Sequence, residues 1–152
     1  MTSNSNSQAT LVASLNALLA DYFALYLKTK NFHWHVTGPQ FRELHLLFDE
    51  QAAELFALTD VIAERVRKNG AATLTSIGTI AKASRISDQD QSALSAKAMI
   101  TELVADNRTL VAGLREAKAA AGAAGDNATE GLADDWTDTA ERRVWFLEAL
   151  LG

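Results

Sequence analysis

The sequence predicts an all-α protein built as a bundle of four long helices. Three observations predict it. Alanine, leucine and charged residues dominate, and there is one proline among 152 residues, a profile that favours helix over sheet. Apolar side chains recur at helical spacing through four long stretches. Between the second and third stretches lies one longer connection, Ala71 to Asp90, of the kind that joins two parallel helices in a bundle.

The elements follow in order. Residues 1–7 are Ser/Asn-rich and are expected to be disordered. Residues 8–152 are expected to form one domain, long enough to bury a substantial core. The first helix is expected from about Gln8 to about His35, with Leu15, Leu19, Tyr22, Tyr26 and His33 in one arc. Thr37-Gly38-Pro39 ends it, since Gly suits the position after a helix and Pro the first turn of the next. The second helix is expected from about Pro39 to about Lys68. Phe41, Leu44, Phe48, Leu55, Leu58, Ile62 and Val66 form its apolar stripe. Within the long connection, SIGTIAKASRI is able to make one short helix. Asp88 or Asp90 is the expected cap of the third long helix, about Gln91 to about Ala121. Asp126 or Asn127 should cap the fourth, which carries Trp136, Trp145, Phe146, Leu147 and Leu150.

The composition excludes several classes. There is no cysteine, so disulfides and thiolate metal sites are excluded and nothing points to an oxidising compartment. No continuous apolar run approaches the roughly 20 residues of a membrane span, and the N-terminus does not read as a secretory signal. A cytoplasmic protein is expected. The net charge is -5, which does not attract a phosphate backbone. There is no P-loop, no GxGxxG and no local Ser-His-Asp signature.

All three histidines, His33, His35 and His45, fall within NFHWHVTGPQFRELH. On the second helix His45 and Asp49 are four apart, as are Asp60 and Glu64, so each pair shares a face one turn apart. The eleven steps from Asp49 to Asp60 are close to three whole turns, which brings all four into one arc about 100° wide. Imidazole with carboxylate suits iron, zinc or manganese. Yet Asp49 and Asp60 stand roughly 16 Å apart along the axis, so one metal cannot touch both. Either the pairs are separate half-sites, or two copies of the helix meet antiparallel about a two-fold axis. His33 can join His45 if its face packs toward the start of the second helix. A single such pair is most often solvated surface charge. The register of two pairs with two histidines is what favours a metal. His35 lies two residues from His33 and so points away from it. Trp34 and Trp145 read first as core or interface aromatics. No Glu is followed three residues later by His, so the Glu-x-x-His motif of intrachain di-iron bundles is absent.

Lys30 to Val66, KNFHWHVTGPQFRELHLLFDEQAAELFALTDVIAERV, resembles the signature of the Dps proteins, the dodecameric mini-ferritins. RVWFLEALL near the end resembles their last helix, and the likeness covers about residues 8–152. It implies a ferritin-like four-helix bundle with a short extra helix in the long connection, and a shell of twelve copies. Ferroxidase centres would lie at two-fold interfaces, with His33, His45 and Asp49 from one subunit and Asp60 and Glu64 from its neighbour. The activity implied is oxidation of Fe(II), preferably by hydrogen peroxide, with ferric oxyhydroxide stored inside. Zinc could replace iron on the same ligands. Trp34 would quench stray oxidising equivalents. Asp126, Glu130 and Asp134 would line an iron-admitting three-fold pore, although negative charge near a helix N-terminus is favourable by itself. Two departures stand out. His35 occupies a place where the family often has Asn. The Lys/Arg-rich tail of DNA-binding members is missing, so DNA binding is expected to be weak or absent.

Overall fold

A computed structural model describes residues 2–152, with side chains from Asn4 onward. Its elements are α1 (Thr2–His35), α2 (Phe41–Lys68), α3 (Ile77–Ala83), α4 (Ala96–Ala124) and α5 (Asn127–Leu151). No strand occurs among the described residues.

α1 begins at Thr2, six positions before the expected start. The Ser/Asn-rich segment expected to be disordered is therefore helical from Thr2; Met1 lies outside the described residues. Local and tertiary bonds both hold this end. The Thr10 hydroxyl donates to the Asn6 carbonyl, and Gln8 Nε2 donates to the carbonyl of Asn69 at the far end of α2. α1 ends where Val36 is buried, and Gly38, at φ 111°, makes the turn into α2. A side chain would strain that backbone. α2 starts at Phe41 rather than Pro39, because Gly38 to Gln40 close a turn in which Phe41 N donates to Gly38 O.

The short helix forms where expected, with a Ser76–Thr79 capping box. α4 starts at Ala96, not Gln91. Ser95 caps it, accepting from Ala98 N, and neither Asp88 nor Asp90 does. The reason is tertiary. Residues 84–90 form a strap pinned to α1. Arg85 clasps Asp21, Lys28 Nζ donates to Ser87 O, and Asn31 Nδ2 donates to Gln89 O. α4 runs on to Ala124 and ends at Gly125, which is left-handed at φ 73°. Asp126 caps α5 as expected.

Cross-links give the directions. Gln8 at the start of α1 meets Asn69 just past α2, so those helices are antiparallel. Lys28, late in α1, meets Asp106, early in α4, so that pair is antiparallel too. α2 and α4 consequently run parallel, which is why the connection between them must be long. Leu15, Leu18, Tyr22 and Phe32 of α1 fill the core with Leu44, Phe48, Leu55 and Ile62 of α2, Leu103, Leu110 and Leu114 of α4, and Trp136 and Leu147 of α5. Of the expected α2 stripe, Phe41 is exposed and Leu58 half-buried. α1 is also long and apolar enough, by composition, to cross a membrane. Leu11, Leu15, Leu18, Leu19 and Leu25 are instead buried against the other helices.

Two cations are buried among the described residues, Lys28 against Asp106 and Arg143 within the bundle. Arg143 is buried, with Nε donating to Asn107 Oδ1 at 2.8 Å and Nη1 to Glu54 Oε2 at 3.3 Å. Burial pushes the nearby Tyr22 hydroxyl above its ordinary pKa, partly offset by Arg143. The bundle interior thus holds a guanidinium, a poor neighbour for a second cation.

Candidate metal centre

The tight turn between α1 and α2 lays the last turn of one helix against the first of the other. His33 and His45 meet there and lock each other. His33 Nδ1 lies 2.5 Å from the His45 carbonyl oxygen, and His45 Nδ1 lies 2.7 Å from the His33 carbonyl oxygen. In the neutral ring each Nδ1–H donates to that carbonyl, which leaves Nε2 with the lone pair. The rings stack at 3.8 Å with 13° between planes. Phe41 covers His45 at 5.2 Å. Both imidazoles are therefore fixed in tautomer and in orientation.

His33 Nε2 points to Asp49, one turn beyond His45, with Oδ1 at 3.8 Å. Lys30 Nζ sits 2.8 Å from that same oxygen and 5.9 Å from the Trp34 ring centre. The hydrogen bond from Lys30, foremost, holds the Asp49 carboxyl below its ordinary range. Lys30 was not foreseen from the sequence. Its signal was spacing: it stands three residues before His33, on the same face. His35 turns away, its Nδ1 against the Asn31 carbonyl and side chain at 2.9 and 2.8 Å.

Asp60 and Glu64 are exposed and lie three turns further along α2. One chain does not bring them to the histidines. Among the described residues, no group of three or more His, Asp or Glu closes into a site for a metal ion. Asp60 instead borders a surface cavity of about 480 Å³, with Phe23, Phe56 and Leu74 in its wall. A larger apolar groove, about 600 Å³, runs between α1 and α3 past Leu27, Ile77 and Ile80. Leu27 is 58% exposed, Phe56 53% and Ile77 80%. This face is apolar beyond what scattered surface residues require.

The three acidic residues near the start of α5 are differently placed. Asp126 accepts from Arg65 Nη2 with both oxygens, at 2.7 and 2.9 Å, and also from Asn69 and Thr129. Burial works to raise its carboxyl, but these bonds together hold it well below the usual carboxylate range. Asp134 pairs with Lys118. Glu130 lies over Gly122 of α4. Of the tryptophans, Trp136 is buried while Trp34 and Trp145 are exposed.

Comparisons with known proteins agree with this architecture. A family model described as a ferritin-like domain matches residues 12–152. A protein of Brevibacillus brevis named DNA protection during starvation protein is 34% identical over 95% of this chain and 96% of its own length. The structure of Dps from Thermosynechococcus elongatus superposes with a TM-score of 0.94 at 29% identity, covering 98% of this chain and 94% of that one. Dps from Vibrio cholerae gives a TM-score of 0.91 at 31% identity, covering 97% and 92%; it is described as a member of a superfamily of ferritin-like diiron-carboxylate proteins. With its helical order and its long crossover, and by these likenesses of sequence and fold, the chain belongs to the Dps proteins of the ferritin-like family.

Proposed function

We propose that the protein oxidises Fe(II) at centres shared between two subunits and stores the ferric product in a shell of twelve copies. The observation that carries this reading is the pair of histidines whose Nδ1 atoms are tied to each other's carbonyls. Such ties to the second ring nitrogen are what metal-ligating imidazoles ordinarily show. His33, His45 and Asp49 supply half a centre. Asp60 and Glu64, beside an apolar face, supply the other half to a neighbouring subunit. Carboxylates are hard ligands and favour Fe(III) over Fe(II), which drives oxidation. Hydrogen peroxide is the proposed oxidant. Two ferrous ions give one electron each, the O–O bond breaks, and two protons complete two waters. Zinc should compete for the same ligands.

Trp34, exposed one residue from His33, is assigned the quenching of stray oxidising equivalents. Glu130 and Asp134 are assigned to an iron-admitting pore. Asp126 contributes less there, because its carboxylate is already engaged by Arg65. A cysteine-free chain fits work in the cytoplasm. DNA protection, the name borne by the Brevibacillus relative, need not mean tight DNA contact here. A net charge of -5 opposes the phosphate backbone, so a gel-shift assay at neutral pH and moderate salt should show little retardation, and a clear shift would overturn this.

The test of the centre is anaerobic addition of Fe(II) followed by peroxide, with ferric absorbance recorded for wild type and for Asp60→Ala/Glu64→Ala. The double variant should be slower by at least about tenfold, the scale reached by losing even an outer partner of a metal ligand. Equal rates would sink the assignment.

A further inference from the structure

We propose that Lys30 is a cationic latch on the half-centre: its ammonium group holds Asp49 while metal is absent and must leave for a metal ion to bind. This rests on the shared centre proposed above and adds a regulating residue to it.

The argument is geometric. Asp49 Oδ1 and His33 Nε2 are 3.8 Å apart. Metal bonds of about 2.1 Å to each are long enough to span a gap of that size. An ion between them is therefore within reach of both atoms. The same Oδ1, however, carries the Lys30 ammonium at 2.8 Å. An ion bonded to that oxygen would lie within about 5 Å of the ammonium in any direction, taking about 2.1 Å for its own bond. A divalent cation and an ammonium that close repel each other. They also compete for one oxygen's lone pairs. One of them must yield.

Lys30 is built to yield. Its stem is flexible, and its partner Asp49 has a side chain 52% exposed, so the ion pair adds little to fold stability. A second resting place is at hand. Nζ is already 5.9 Å from the Trp34 ring, and an ammonium over an indole face is attracted by the ring. In the metal-free protein the latch keeps the carboxylate oriented and paired beside two fixed imidazoles. When metal arrives, Lys30 swings toward Trp34. It thus acts on the metal through Asp49, as a positioning residue and not as a ligand.

Zn(II) titration by calorimetry of the assembled protein tests this, with wild type, Lys30→Met, Lys30→Arg and Asp60→Ala/Glu64→Ala compared. Methionine removes the competitor and leaves a stem of similar length. Arginine keeps the charge and grips a carboxylate with a fork. Helical circular dichroism and native mass should be unchanged in both Lys30 variants. The expected result is tighter Zn(II) binding by Lys30→Met, on the order of tenfold, and weaker binding by Lys30→Arg. A merely structural lysine would not move the two variants in opposite directions. Equal affinities, or weaker binding by Lys30→Met, would overturn the latch while leaving the centre standing. If Asp60→Ala/Glu64→Ala bound Zn(II) as wild type does, the shared centre itself would fall, and the latch with it.

Discussion

Gly113 lies on α4 beneath the guanidinium of Arg85. A Cβ at this glycine would stand 2.7 Å from Arg85 Nη2. That contact would be cheap if the arginine were free, but it is not. Arg85 N donates to Asp21 Oδ1 at 2.6 Å, and its side chain reaches Oδ2 at 2.7 and 2.8 Å. Asp21 is fully buried, so a carboxylate left short of donors there is costly. An ordinary Gly→Ala change inside a helix stabilises by up to about 1 kcal/mol. Here the sign should reverse. Gly113→Ala is expected to lose about 1–3 kcal/mol, the cost of an unsatisfied buried polar group, read as a lower urea midpoint at fixed protein concentration. A raised midpoint would show that Arg85 moves aside freely. The histidine pair shows the same lesson at this scale. Neither ring's orientation is its own; each is set by a backbone carbonyl of the other's helix.

At the scale of elements, what the sequence made legible was whatever depends on near neighbours. The apolar period placed α1, α2 and α5, and Asp126 was readable as a cap because its bond to Thr129 N spans three residues. The His45–Asp49 spacing put those two side chains on one face, but whether His33 joined them depended on how α1 packs, which the ties between His33 and His45 now supply. What failed was long-range. Asp88 and Asp90 look like caps, but the strap around them is held by Asp21, Lys28 and Asn31, more than fifty residues earlier. Lys28 itself is drawn inward by two carboxylates of α4, Glu102 at 3.6 Å and Asp106 at 2.9 Å. Burial leaves the Asp106 carboxyl above its ordinary range despite that partner. Asp126 is likewise engaged from afar, because Arg65, sixty-one positions away, donates to both its oxygens. Lys30 is not legible from the sequence, because a lysine near histidines does not resemble a ligand. Only the fold shows that its nitrogen and His33 Nε2 face one oxygen.

At the scale of the molecule, an apolar face and the proposed half-centre point the same way. α1, α2 and α3 present Leu27, Phe56 and Ile77 to solvent around grooves that one chain does not fill. Asp60 borders one of those grooves. A two-fold contact made by this face would be self-complementary. It would bury the apolar residues and carry Asp60 and Glu64 toward a neighbour's histidines in one step. Assembly and metal binding would then be a single property, separable by a change that touches no ligand. Ile77→Glu is such a change. Ile77 opens α3 and is 80% exposed, so glutamate there should leave the subunit folded, with its helical signal intact. At the interface the same charge would be desolvated without a partner, at a cost of several kcal/mol. Ile77→Glu is therefore expected to appear in light scattering behind size exclusion as a species far smaller than twelve subunits. Its peroxide-driven iron oxidation should fall as far as that of Asp60→Ala/Glu64→Ala, although all five proposed ligands remain. Full activity from a dissociated Ile77→Glu chain would mean that one subunit suffices, and the shared centre would have to be abandoned.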